Sequence, residues 1–231
     1  MKINHIFFDL DHTLWDFERC SEEALNELYE SYQMKQWGLF TPAEFQQMFT
    51  KINSYLWERY NHGLIKREQL RKARFVRILT ELGLPEAEVP VDLGEEYIAL
   101  CPQKPYLMPY AKEILDYLSG QGYQLHIITN GFEDVQHIKM KSSGIDGYFN
   151  QVVTSDKAGQ KKPYRKIFDY ALEVSNAQRS ESIMVGDNLE TDIKGAKLAE
   201  MAHIFYNPFQ QPHQEDVQIE VKHLQEIEQH L

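Results

Sequence analysis

Short, uninterrupted apolar runs alternate along the chain with stretches of helical periodicity. Ile3 to Phe8, Gln124 to Thr129, Gln151 to Thr154, Ser182 to Val185 and His203 to Tyr206 read as strands. Runs such as Leu125 to Thr129 lack polar alternation, as expected of strands covered on both faces. Apolar residues recur at helical spacing over Ala111 to Ser119, Val135 to Ser142, Lys166 to Val174 and Thr191 to Glu200. Gly144 punctuates the end of one helix, whereas Gly195 is tolerated within another. Strands and helices in alternation predict an α/β fold with a parallel sheet flanked by helices. Val221 to His230 reads as a peripheral covering helix.

From about Asp16 to Leu100 no strand pattern occurs, and the segment reads as consecutive helices rich in aromatic residues, among them Tyr29, Phe45, Phe49, Trp57, Tyr60 and Phe75. Pro85, Pro90, Pro102, Pro105 and Pro109 crowd its far end and mark a return connection. The expected organisation is a catalytic core of residues 1–15 and 101–231, with an all-helical domain of residues 16–100 inserted after the first strand.

Composition narrows the function classes. A chain of 231 residues can bury enough surface to fold without metals or disulfides. With 24 basic against 35 acidic side chains its net charge is −11, which argues against a nucleic-acid polymer as partner. No apolar run suits a signal peptide or a membrane span, so a cytoplasmic protein with no membrane partner is expected. Cys20 and Cys101 lack any CxxC spacing and are expected to be partly buried thiols. No HExxH or GxSxG pattern points to zinc or to a serine nucleophile.

Four segments carry candidate chemistry, each just past a predicted strand or at a helix entry. Asp9 and Asp11, in Asp9-Leu10-Asp11-His12-Thr13, follow the first strand, where parallel sheets bind ligands. Two nearby carboxylates repel unless a cation or proton intervenes, so they invite Mg²⁺. One can attack a phosphoryl group while the other handles a proton, although the motif alone also suits a helix cap or turn. Thr129-Asn130-Gly131 supplies a hydroxyl, an amide and flexible backbone N–H groups that suit a phosphate, or equally an Asn-Gly turn. Lys162, before Pro163, can offset the charge of carboxylates and phosphate, and is preferred to Lys161. Asp187, after Ile183-Met184-Val185-Gly186, completes a carboxylate site for Mg²⁺, with Asp192 in support or favouring a helix dipole.

Together and in this order, DLDHT, ITN, the Lys-Pro step and GDNLETD resemble the haloacid dehalogenase-like hydrolase superfamily, over essentially the whole chain. The resemblance implies a Rossmann-like core with a helical cap, and Mg²⁺-dependent phosphoryl transfer through an aspartyl-phosphate. It assigns Asp9 as nucleophile and Asp11 as general acid/base, with Thr129 and Asn130 on the phosphate and Lys162 neutralising it. It gives Mg²⁺ the Asp9 and Asp187 carboxylates and the Asp11 backbone carbonyl. Asp11 favours a phosphatase over a dehalogenase, because an alkoxide leaves well only once protonated. His12 stands where Gly is frequent in this motif.

A finer resemblance, to bacterial pyrimidine 5′-nucleotidases, is carried by Ile128 to Phe132, Gln136, Tyr148-Phe149, Lys162-Pro163, Lys166 to Leu172 and the run Leu56-Trp57, Tyr60, Gly63. It implies a nucleoside monophosphate as substrate. Trp57 and Tyr60 could then stack on a base, and Arg74, within the basic run Arg59 to Arg77, could attract the nucleotide. Aromatics at helical spacing also suit a core, and basic helix faces are often simply solvated. A sugar-phosphate or phosphoglycolate phosphatase is the alternative, followed by a phosphosugar mutase or a non-catalytic binding protein.

Overall fold

Ile6, Phe7 and Phe8 are fully buried in the first strand of the computed structural model, which describes residues 3–231. The chain runs β1 (His5–Phe8), then helices α1 (Phe17–Ser31), α2 (Pro42–Asn61), α3 (Arg67–Glu81) and α4 (Leu93–Leu100). It continues through α5 (Ala111–Gly120), β2 (Gln124–Thr129), α6 (Glu133–Ser142), β3 (Phe149–Thr154), α7 (Ser155–Ala158) and α8 (Arg165–Val174). It closes with β4 (Ser182–Gly186), α9 (Lys194–Leu198), β5 (Ala202–Tyr206) and β6 (Ile219–Val221). Among the described residues no helix is long and apolar enough to cross a membrane.

The six strands form one sheet in the order β3-β2-β1-β4-β5-β6. Every neighbouring pair is parallel. The chain builds outward from β1 on one side, then crosses to build outward on the other. This is the Rossmann-like arrangement, and it leaves a crevice at the carboxyl ends of β1 and β4, where their connections diverge. Phe7, Ile128 and Met184 from adjacent strands pack against Ile167, Phe168 and Ala171 of α8. A side chain at Gly195 would place its Cβ 2.4 Å from the Phe168 ring, so only glycine lets α9 approach α8 this closely.

The contacts divide the chain into two units, at Phe17/Glu18 and at Lys104/Pro105. The α/β unit combines residues up to Phe17 with Pro105–Leu231, and the helical unit is Glu18–Lys104. Within the helical unit Tyr29, Phe40, Phe45, Phe49, Phe75 and Tyr97 are all buried. Their rings contact one another in a chain, with centroids from 5.0 Å for Phe49 and Tyr97 to 6.4 Å for Tyr29 and Phe45. Much of the aromatic richness is therefore core packing. A capping box between Thr41 and Glu44 starts α2, with Pro42 just inside it. Cys20 and Cys101 are both buried.

Two elements differ from the sequence expectation. The C-terminal segment is not the expected helix from Val221 to His230, but β6 followed by a 3-10 turn at Leu224–Gln229. Val221, Leu224 and Ile227 are its buried residues, and their three-residue spacing satisfies a 3-10 period as well as a helical one. Thr191 to Glu200 is not one regular helix: a π-helical turn, Leu189–Ile193, precedes α9. That widened turn carries Asp192, which is fully buried.

Candidate active site

Asp9 follows β1 directly, and its backbone N–H donates to Val185 O at 2.9 Å. This continues the pairing with β4 past the end of the strand. The Asp9 carboxylate thus stands at the carboxyl edge, 8 % exposed. Opposite it lies the Lys162 ammonium, one of the most buried charges in the protein at 2 % exposure. Its Nζ reaches Asp9 Oδ1 at 2.6 Å, Ile128 O at 2.7 Å and Asp192 Oδ1 at 2.7 Å. An ammonium has three donors, so these acceptors satisfy it and fix its direction.

Asn130 secures the lysine from the main-chain side. Its Oδ1 accepts from Lys162 N–H at 2.7 Å, and its Nδ2 donates to Lys162 O at 3.0 Å. The Asn130 side chain is thereby anchored to the main chain of Lys162. Thr129 Oγ1 accepts from Gly131 N–H at 2.9 Å and shapes the turn after β2. Gln136 is buried against this turn; a Cβ at Gly131 would lie 2.0 Å from Gln136 Nε2, which accounts physically for glycine there.

On the β4 side, Asp187 is held by a residue that sequence reasoning did not single out. Thr13 Oγ1 donates to Asp187 Oδ1 at 3.0 Å and accepts from Asp187 N–H at 3.1 Å. Thr13 closes the DLDHT motif and is fully buried; its place in that motif was its signal in the sequence. Asp192 Oδ2 accepts from Asn188 N–H at 3.1 Å, while Oδ1 accepts from Lys162. Gly186 makes this possible, because a Cβ there would lie 2.3 Å from Asp192 Oδ2.

Asp9, Asp187 and Asp192 each present a carboxylate oxygen, all within 4.8 Å of one another. Burial, then repulsion from Asp192 and Asp187, pushes the Asp9 carboxyl up to about 8 against the pull of Lys162. Asp187 is pushed up to about 7 by burial and by Asp192. Burial alone would lower Lys162, but Asp192 and Asp9 together hold it above the ordinary lysine range. Three carboxylates thus share one ammonium, an arrangement short of positive charge and rich in hard oxygen donors, as a small divalent cation requires.

Asp11 stands apart from this cluster, with Lys139 Nζ at 2.5 Å from its Oδ1. His12 adopts a left-handed backbone (φ 64°) and its ring packs on Phe17 at 5.0 Å. Trp57, Tyr60 and Arg74 belong to the helical unit. Trp57 meets Tyr60 edge-on at 5.4 Å and is half-buried, whereas Tyr60 is buried. Arg74 is no part of a solvated basic face: it is buried, its guanidinium 5.4 Å from the Tyr97 ring and 5.9 Å from Phe49.

The sequence profile of haloacid dehalogenase-like hydrolases matches residues 3–200. The chain belongs to that family. As a haloacid dehalogenase-like hydrolase it has relatives with named activities. It is 35 % identical to the pyrimidine 5′-nucleotidase YjjG of Escherichia coli (strain K12), over 90 % of this chain and 87 % of the relative. It is equally, 35 %, identical to the glyceraldehyde 3-phosphate phosphatase of Pyrococcus abyssi (strain GE5 / Orsay), over 88 % of this chain and 81 % of the relative. Among solved structures, the magnesium-bound HAD-hydrolase YfnB of Bacillus subtilis superposes with a TM-score of 0.87 at 25 % identity, covering 99 % of this chain and 98 % of that one. This hydrolase therefore shares both profile and fold with the family.

Proposed function

We propose that this hydrolase is a Mg²⁺-dependent phosphomonoesterase that forms an aspartyl-phosphate on Asp9, with nucleoside 5′-monophosphates, pyrimidine ones first, as substrates. The observation that carries the reaction is the buried Lys162 ammonium bonded to both Asp9 and Asp192, with Asp187 alongside. The carboxylates of Asp9 and Asp187 and the backbone carbonyl of Asp11 would hold the cation. Asp192 supports the site from beside these ligands, accepting from Lys162 and from Asn188 N–H. A cation held there would offset negative charge on the phosphoryl group as it is displaced.

Asp9 attacks phosphorus while Asp11 delivers a proton to the departing ester oxygen, releasing the alcohol. Asp11 then takes a proton from water as that water attacks phosphorus and the Asp9–phosphate bond breaks. Lys162 keeps Asp9 aimed and offsets phosphate charge throughout, and Thr129 with the backbone N–H groups of the Asn130 turn receives the phosphoryl oxygens. The helical unit is read as a cap domain, with the half-buried Trp57 as its candidate specificity residue, whereas Tyr60 and Arg74 are buried within that unit. The resemblance to YjjG supports the nucleotide reading. The equally similar triose-phosphate phosphatase supports a sugar-phosphate substrate as the second reading.

Phosphate release with Mg²⁺ and with EDTA, on a panel of dUMP, dTMP, UMP, purine monophosphates, glyceraldehyde 3-phosphate, phosphoglycolate and hexose phosphates, tests both levels. The expected outcome is EDTA-sensitive release with a pyrimidine monophosphate giving the highest kcat/KM. Release that EDTA leaves unchanged overturns the mechanism. A triose or hexose phosphate at the head of the panel overturns the substrate assignment alone.

A further inference from the structure

Lys139, on α6, is buried, and among the described residues Asp11 is the one carboxylate within salt-bridge distance of it. Its Nζ lies 2.5 Å from Asp11 Oδ1 and 4.5 Å from the centroid of the Trp15 ring. Trp15 is fully buried and tied to the same loop as Asp11, its N–H donating to Leu10 O at 2.8 Å and its carbonyl accepting from His12 N–H at 2.9 Å. The ammonium is thus held between the acid and the indole of one short loop. Burying an ammonium is costly unless it is paired, and this one is paired with the residue assigned to move protons. Asp11 Oδ1 is occupied by the lysine, while Oδ2 has no hydrogen-bond partner among the described residues.

We infer that Lys139 is a positioning residue for the reaction, fixing Asp11 through Oδ1 so that Oδ2 faces the reacting oxygens in both half-reactions. The inference rests on the phosphomonoesterase reading above. Asp11 gives its proton to the ester oxygen as the P–O bond breaks, and regains one from water as the Asp9–phosphate bond breaks. Lys139 acts through Asp11 alone and does not itself contact the substrate. A carboxylate with freely rotating χ angles would have to be re-aimed for each transfer, and misplacement by about 1 Å can cost about 10²-fold.

The test compares kcat/KM on glycerol 2-phosphate, whose alkoxide needs a proton to leave, with p-nitrophenyl phosphate, whose phenoxide does not. Lys139→Met is expected to lose about 10–100-fold on the alkyl ester, part of the 10²–10⁴ typical of general acid catalysis, and less than about threefold on the aryl ester. Lys139→Arg, which keeps the charge, should return the alkyl ester to within about threefold of the parent. In the Asp11→Asn background, Lys139→Met should add no further loss, because the group it acts through is already disabled. That double variant also leaves no unpaired charge, so it and Lys139→Arg carry the test if Lys139→Met alone does not fold. Equal losses on the two esters, or additive losses in the double variant, overturn the inference while a steep leaving-group dependence in Asp11→Asn upholds the reaction. If Asp11→Asn shows no leaving-group dependence, the role given to Asp11 fails, and the inference with it.

Discussion

Thr13 and Asp187 exchange two hydrogen bonds through a single hydroxyl, which donates to the carboxylate at 3.0 Å and accepts from the backbone N–H of the same residue at 3.1 Å. The loop after β1 is thereby pinned to the loop after β4, and one proposed cation ligand is held at a fixed angle beside the other. Thr13→Val keeps the shape and removes both bonds. Its apparent Mg²⁺ affinity should fall about 10–100-fold, the usual cost of losing a group that orients a ligand, with kcat at saturating Mg²⁺ less affected. Isothermal titration with Mg²⁺ measures this, and an unchanged affinity would remove the assigned role.

Asp9→Asn should abolish turnover and leave the fold intact. The substitution removes one of three crowded carboxylates, so electrostatic repulsion with Asp192 and Asp187 is relieved. Intact-mass spectrometry during turnover should find a phosphorylated species in the parent chain and none in the variant. Full activity, without deamidation back to Asp, contradicts Asp9 as nucleophile.

Gly186→Ala is a one-carbon test of the Asp192 position, since the new Cβ would meet Asp192 Oδ2 at 2.3 Å. Overpacking of this kind costs about 1–3 kcal/mol. Displaced Asp192 would release Lys162, so kcat should fall at least about tenfold even at temperatures where the variant is folded. Thermal unfolding and steady-state rates, measured together, separate the two effects. A variant with parental kcat would show that the Asp192–Lys162 contact is dispensable.

The pH dependence of stability has a sign that follows from the buried carboxyls. In the metal-free protein Asp9 is raised to about 8 and Asp187 to about 7, against an ordinary value of 3.8. Burial lowers His126 to about 4 and also lowers His5 and His203, which opposes the carboxyls at acid pH, so the carboxyls set the sign only above the ordinary histidine range. From about pH 7 to pH 8 the folded chain binds more protons than the unfolded one, and the Tm of EDTA-treated protein should fall across that window. Saturating Mg²⁺ should raise Tm most at the alkaline end, because the cation favours the ionised carboxylates. A Tm that climbs across the window without metal would contradict this charge arrangement.

Local pattern alone placed β1 to β5, since β1, β2, β4 and β5 are apolar runs buried almost throughout and the edge strand β3 keeps a buried Val153-Thr154 end. Strand-end position singled out Asp9 and Asp187, and the Lys-Pro step at a helix entry singled out Lys162. The same logic failed at Val221 to His230, where a three-residue spacing of apolar groups fits two kinds of turn and only packing chooses. It was silent on β6, a three-residue edge strand too short to carry a period.

The order of residues was enough to specify the parallel α/β fold and most groups at its carboxyl edge, since the fold follows from periodicity and Asp9, Thr129 and Asp187 from their places at strand ends. Packing in three dimensions settled which group restrains which: Thr13 on Asp187 across 174 residues, Lys139 on Asp11 across 128, and Asn130 on the main chain of Lys162. Such pairings are set by how the strand-end loops and the helices beside them converge in space. No local pattern in the chain carries that information.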